Sequence, residues 1–392
     1  MNIVIIGAGV AGASAALALV KQGHQIQIYE RRPLAATMGA GLVIWPNASF
    51  ILSSFGVLPY IAAVSGRPKK MRRIDQEDNP LGHIDIPHLE KLMGSPAYSI
   101  LRCDLQSILL KRLASLGIEV AYGYNAHTIQ LGADGRCTVR FDNGHTVSPD
   151  LIIGADGRKD SVARQYVAGD NSPVYQGFVN WLGVAEFSSP VIDEVAISDY
   201  WGCGERFGLV GINPRKVYWA AAQADATEHD AIEADHKEVV AELFDSWPAP
   251  ISKVIRATEA HAIRKIRVYD LDPLAVWHRD NVLLVGDAAH APLPTSGQGA
   301  CQAIEDAWHL AACLEKASAD LPSALEAFTQ LRKEKTSAIT VQAREFASAL
   351  FSTDPEVCRI RDQRAKAADP ILNVSALAAG WGAGLPMPIQ IN

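Results

Sequence analysis

The chain has 392 residues, enough for one large domain or two to three ordinary ones, and its 48% hydrophobic and 20% charged residues are the balance of a globular protein with a full core. A formal net charge of -7 and a pI near 5.9 leave no basic stripe to neutralise phosphates, which argues against a nucleic-acid partner. Six cysteines without a CxxC pair or zinc-type His spacing, no apolar run of the ~18 residues that span a bilayer, and a start lacking the basic region of a signal peptide together predict a cytoplasmic, reduced protein with no metal site and no stable membrane association.

Asn2–Ile6, rich in Ile and Val, reads as a buried parallel strand, Val10–Gln22 as an Ala/Leu helix, and the alternating Gln25–Tyr29 as a second strand, together a βαβ unit. Pro46-Asn47 opens a helix running to Ser54, with Asn47 placed to cap it. Asp104–Leu116 reads as a helix, and residues from Ile118 to Ile153 as strands with turns at Asp134-Gly135 and Asp142-Asn143-Gly144. Alternating segments Gly177–Phe187, Val195–Trp201, Phe207–Ile212 and Val217–Gln223 predict an antiparallel sheet. Residues 231–257 return to helix, and His261–Tyr269 reads as the last strand of that sheet. Val282–Val285 is again a buried strand, helices follow over Gly299–Leu314 and Leu321–Leu350, and the apolar tail Leu377–Ile391 is expected to dock on the body.

Three motifs carry chemistry. Gly7-Ala8-Gly9-Val10-Ala11-Gly12 fits G-x-G-x-x-G between a strand and a helix: Gly7 for the tight turn, Gly9 for backbone approach to a pyrophosphate, Gly12 for helix–strand packing. Glu30 ends the second strand, where a carboxylate binds a ribose diol. These features suit NAD or FAD equally. Further along, Asp156-Gly157 turns between a strand and a short helix carrying Ser161 and Arg164. Gly286-Asp287 then ends a strand, with Asp287 placed for a polyol chain, and Gly297-Gln298-Gly299-Ala300 enters a helix whose N–H groups suit the pyrimidine end of a flavin. The three in this order point to FAD. They predict an α/β fold: a Rossmann-like FAD-binding domain (1–72, 101–172 and 271–392, with C-terminal helices) and an inserted, mostly antiparallel β-sheet substrate domain (73–100 and 173–270).

With these residues the sequence resembles the class A flavoprotein aromatic hydroxylases, the para-hydroxybenzoate hydroxylase family, over nearly its whole length. Within that family the segment Gly177–Gly183, the run Gly204–Gly208 and Tyr218 are most similar to the branch of FAD-dependent urate hydroxylases. The resemblance implies FAD contacts by Ala11, Glu30, Arg31, Val43, Arg102, Ala126, Asp287 and the loop Gly297–Cys301, with Pro294 near the flavin ring. It places Asn180, Arg206 and Tyr218 in the substrate pocket, Arg206 as a fixed planar cation and Tyr218 as a group that hydrogen-bonds or deprotonates the substrate. For each a plainer reading stands beside this one: a surface-turn arginine, a core tyrosine, an asparagine satisfied within the sheet. His290 reads as structural.

The activity implied is that of an NAD(P)H-using monooxygenase that hydroxylates an aromatic or N-heteroaromatic small molecule with O2 through a flavin hydroperoxide, the flavin carrying the hard chemistry. Gly202-Cys203-Gly204 lacks a strand–helix context, so no second nucleotide fingerprint is present and NAD(P)H is a transient co-substrate. Leu182 stands where the urate branch carries Asn. With Trp181, Trp201 and Trp219 it motivates an alternative, a larger natural product (quinolone, polyketide or antibiotic) as substrate. A non-catalytic FAD-binding protein is a third reading. The chain is expected to be a monomer or homodimer.

Overall fold

The computed structural model describes residues 1–35, 40–169, 171–227, 235–317 and 320–389. A six-stranded sheet runs in the order His278–Arg279, Val282–Leu284, Leu151–Gly154, Asn2–Ile6, Gln25–Glu30, Val120–Tyr122. Every pair is parallel except the one that adds His278–Arg279 at the edge. Its central segments Ile3–Ile6, Leu151–Ile153 and Val282–Leu284 are buried and consist of Ile, Leu and Val, as a sheet covered on both faces requires. Helices Val10–Val20, Arg102–Ser115 and Gly299–Lys316 pack around the first of them.

The second large sheet has seven strands, ordered Arg264–Asp270, Val174–Glu186, Lys216–Ala224, Glu205–Asn213, Ile197–Trp201, Lys70–Asp75, Pro80–Asp85. It is antiparallel but for the pairing of Ile197–Trp201 with Lys70–Asp75. The boundary expected between 72 and 73 falls inside that charged strand. Alternation separates the two faces of this sheet. Trp181, Trp219, Phe207, Tyr200 and Leu209 form one core with the helices His236–Leu243 and Ile251–Ala257. Asn180, Tyr218, Ala220, Arg206, Gly208, Asp199 and Arg73 stand at the alternate positions and face the other way, toward the first domain.

Several local expectations are corrected. The helical stretch 231–257 is two helices, interrupted by Pro248 and Pro250, and its first residues lie outside the described ones. Helix Pro46–Ser54 begins as expected, but Trp45 is its N-cap residue; Asn47 is buried inside it and donates to Gln298 Oε1 at 3.0 Å and Glu305 Oε1 at 2.6 Å. The tail forms helices Pro355–Ala367 and Pro370–Gly382, capped by Asp354 and Asp369, and Trp381 packs its ring on Trp45 at 4.8 Å between centroids. Cys203 and Cys358, far apart in sequence, bring their sulfurs to 3.2 Å. No helix of the described residues is long and apolar enough to cross a membrane.

Candidate active site

The opening strand ends at Gly7 with φ +106°, where a Cβ would stand 2.3 Å from the Ala155 carbonyl oxygen; a Cβ on Gly12 would stand 2.0 Å from the Gly7 oxygen. Backbone contact demands both glycines. Gly9 differs, because a Cβ there meets nothing within 4 Å and would project into open space. The helix that starts at Val10 has no side-chain cap, so its first N–H groups and the positive end of its dipole face a cleft. Beside them Glu30 is fixed by accepting from Ala8 N at 2.9 Å and Arg32 N at 3.0 Å. A hollow of about 270 Å³ follows, bordered by Glu30, Arg31, Arg102, Tyr124, Ala126 and Asp156. The Asp156 carboxylate is engaged in its own turn, accepting from Ser161 Oγ at 2.6 Å and Ala163 N at 3.1 Å.

The third motif meets the first at Gly286, whose φ is +57° and whose added Cβ would stand 2.5 Å from the Ala11 Cβ. Behind it lies a buried ionic cluster. Gly286 N donates to Asp306 Oδ2 at 2.7 Å, His290 Nε2 lies 2.6 Å from the same oxygen, and Arg332 donates to Asp306 and to Glu305 at 2.8 Å each. Burial opposes the Asp306 charge, but His290 and Arg332 hold its carboxyl well below the usual range. His290 therefore has a structural place. Lys335 completes the cluster, binding Glu305 and the carbonyls of Trp381 and Ala383. In front, Asp287 faces a cavity. Gly297 takes φ +61°, Trp45 Nε1 donates to its carbonyl at 3.0 Å, and the helix Gly299–Lys316 starts uncapped. Gln298 Nε2 is buried and has no hydrogen-bond partner among the described residues.

This second cavity, about 680 Å³, lies between the flavin-type loop and the polar face of the seven-stranded sheet. Gly9, Arg102, Ala155 and Gly157 border both hollows, which makes them one continuous cleft. From the sheet, Arg206 Nε donates to Asp199 Oδ1 at 2.5 Å, and Trp201 Nε1 donates to Asp199 Oδ2 at 2.8 Å. Asn180 is 5% exposed and its Oδ1 is buried without a partner among the described residues. The Tyr218 ring lies against Gly41, where a Cβ would come within 2.6 Å of it. Burial pushes the Tyr218 phenol far up, partly offset by Arg206, so it stands as a hydrogen-bond donor and not as a base.

Of the residues expected from sequence, Ala11, Val43, Asn180, Arg206, Tyr218, Asp287, Pro294 and Gly297–Ala300 line this cavity. Gly7, Glu30, Arg31, Ala126 and Asp156 line the nucleotide hollow, and Gly9 and Arg102 line both. Gly12 and Cys301 sit behind the wall. The Cys301 thiol packs 3.6 Å from the Val43 carbonyl and burial pushes it up to about 12, which leaves its backbone at the helix start for a cofactor. Of the three tryptophans taken to suggest a roomy pocket, Trp181 and Trp219 lie on the opposite face of the sheet, Trp219 donating to Thr258 at 2.8 Å. Sequence reasoning missed Asp199 and Arg73. Both line the cavity, and the alternation of the strand Ile197–Trp201 puts Asp199 on the face opposite Tyr200, two residues before Trp201.

The open cradle at Gly9, two uncapped helix starts, the fixed Glu30 carboxylate and the unpartnered Gln298 amide are groups that would fit FAD along the cleft. Comparison with known proteins agrees. The family described as FAD binding domain matches residues 1–343. The aurachin C monooxygenase/isomerase of Stigmatella aurantiaca is 32% identical over 86% of this chain and 86% of its own. The FAD-dependent urate hydroxylase of Mycolicibacterium vanbaalenii is 30% identical over 91% of this chain and 90% of its own. The structure of Klebsiella pneumoniae HpxO with FAD and uric acid superposes with a TM-score of 0.89 at 25% identity, covering 98% of this chain and 97% of that one. The chain belongs to the FAD-binding family and, within it, to the class A flavoprotein hydroxylases.

Proposed function

We propose that the protein is an NAD(P)H-using FAD monooxygenase that hydroxylates an aromatic or N-heteroaromatic small molecule in the 680 Å³ cavity. One observation carries the reading: the flavin-type loop Pro294–Ala300 and the polar groups of Asn180, Arg206 and Tyr218 line the same cavity. Bound FAD, reduced by NAD(P)H, supplies the oxygen-activating redox chemistry. The chain's own residues do the rest. Gly7, Gly9 and Glu30 hold the ADP half, Arg31, Arg102 and Ala126 flank it, and Asp287, Val43 and the loop Gly297–Cys301 seat the ring. Arg206, fixed by Asp199, orients the substrate through a planar fork; Tyr218 donates to a substrate oxygen or ring nitrogen, and Asn180 accepts from a ring N–H or O–H. Leu42, Met71, Ile84, Ile197 and Val210 keep water from the ring.

The apolar wall and the small floor residues Gly208 and Ala220 support a second reading, a larger fused-ring natural product in place of a single heterocycle. We place the enzyme in the cytoplasm as a monomer or homodimer. Substrate-stimulated NADH and NADPH oxidation, with hydroxylated product in place of free peroxide, is the test across small heterocycles and fused-ring aromatics. A purified chain that shows no flavin absorbance even after addition of FAD refutes the proposal.

A further inference from the structure

Among the described residues the charged side chains lining the cavity are three arginines, Arg73, Arg102 and Arg206, and two aspartates, Asp199 and Asp287. On the flavin side Arg102 and Asp287 balance. On the sheet side Asp199 gives one oxygen to Arg206 and the other to Trp201. Arg73 stands next to Asp199 in the parallel register of the two strands. Among the described residues its guanidinium makes no hydrogen bond or ion pair, and its contact is the face of the Trp201 ring, 5.8 Å from the centroid. A planar cation with five donors is thus held half-buried at the cavity wall with no hydrogen-bonding or ionic partner among the described residues. The same arginine borders an outer groove lined by Phe346, Arg361, Arg364 and Leu372, so it stands where that groove meets the cavity.

We propose that Arg73 is a specificity-determining residue that receives a carboxylate carried by the aromatic substrate. The inference rests on the reading of this cavity as the substrate pocket of an FAD monooxygenase. One negative charge on the ligand makes the cavity neutral, and a carboxylate matches the guanidinium fork with two parallel hydrogen bonds. Burial pushes the Arg73 pKa down, partly offset by Asp199, so the free cation gains most from a ligand that brings its own counter-charge.

The test titrates the flavin absorbance of the holoenzyme with benzoate and quinoline-4-carboxylate and with their neutral amides, in the native chain, R73M and R73K. The native chain should bind each acid about tenfold or more tightly than its amide. R73M should abolish that preference and R73K restore part of it, with FAD content and the KM for NADH and NADPH unchanged. Equal binding of acids and amides, binding of none of them, or a preference that survives R73M overturns the inference. So does an R73M effect confined to the KM of the nicotinamide cofactor. A chain that binds no FAD overturns the monooxygenase reading as well, whereas a flavin-bound chain without acid preference overturns this inference alone.

Discussion

Arg206 Nε donates to Asp199 Oδ1 at 2.5 Å between neighbouring strands, and the guanidinium comes to rest over Gly208. A Cβ on Gly208 would stand 3.0 Å from Arg206 Nη2 and 3.3 Å from its Cζ. The plane of the fork is therefore set by one carboxylate at its side and one missing methyl beneath it. Gly208→Ala should lift the guanidinium by a few tenths of an ångström and raise the substrate KM about tenfold. Asp199→Asn, which leaves the cation unpaired, should cost more. Both should keep FAD, so flavin content measured beside steady-state kinetics checks the placement.

Tyr218 offers a contrasting test. A phenol kept protonated by burial contributes one hydrogen bond, so Tyr218→Phe should weaken substrate binding by ~1 kcal/mol, roughly five- to tenfold, and let more oxygen leave as peroxide. The pH–rate profile between 6 and 9 should keep its shape in the variant. A lost alkaline or acidic limb would assign the tyrosine a proton-transfer role instead.

Gly9 has φ -71°, a conformation open to any residue, and a Cβ there meets no protein atom. Gly9→Val should thus fold like the native chain, with the same circular dichroism, yet purify without flavin. Glu30→Ala should weaken FAD binding about tenfold or more while sparing the apoprotein, because it removes the carboxylate placed for the ribose. Loss of soluble, folded protein in the valine variant would show that the space is structural and not a ligand cradle.

The ionic cluster behind the flavin loop makes a stability prediction. Arg332 is fully buried and serves two carboxylates, Glu305 and Asp306. Arg332→Met leaves both without that cation and should cost about 3–5 kcal/mol in urea unfolding. The Asp306 bond to Gly286 N should loosen with it, so residual folded protein should also bind FAD more weakly.

His309 sets a pH limit. Burial, aided by Arg332, lowers its pKa from 6.5 to about 4 in the fold. The unfolded chain therefore takes up a proton between those values that the native state refuses, and stability should fall as pH drops from about 6.5 toward 4, by up to ~3 kcal/mol for this one group. His309→Asn should flatten that slope; an unchanged slope would show that other groups dominate.

What was legible in the sequence was local. Gly7 takes a positive φ, Gly12 has no room for a Cβ and Gly9 leaves open space before a helix start, and Glu30 follows them at the end of the next strand. Alternation likewise exposed the strands carrying Asn180 and Tyr218, and the one whose observed start, two residues earlier than read, takes in Arg206. The misread features depend on partners far along the chain. Asn47 looks like a helix cap until Gln298 and Glu305 arrive beside it. Lys70–Asp75 is too charged to read as a strand, and becomes one because Ile197–Trp201 and Pro80–Asp85 flank it. Trp181 and Trp219 suggested a roomy pocket by type alone, while their parity along the strands sends them to the other side.

That parity has an evolutionary consequence. Because Asn180, Arg206, Gly208, Tyr218 and Ala220 alternate with Trp181, Phe207, Leu209 and Trp219, what the cavity accepts and what anchors the sheet are inherited on separate residues. A lineage carrying this scaffold can drift at one set of positions and acquire new chemistry while the other stays under purifying selection. Substrate diversity among such enzymes then needs no remodelling of the backbone.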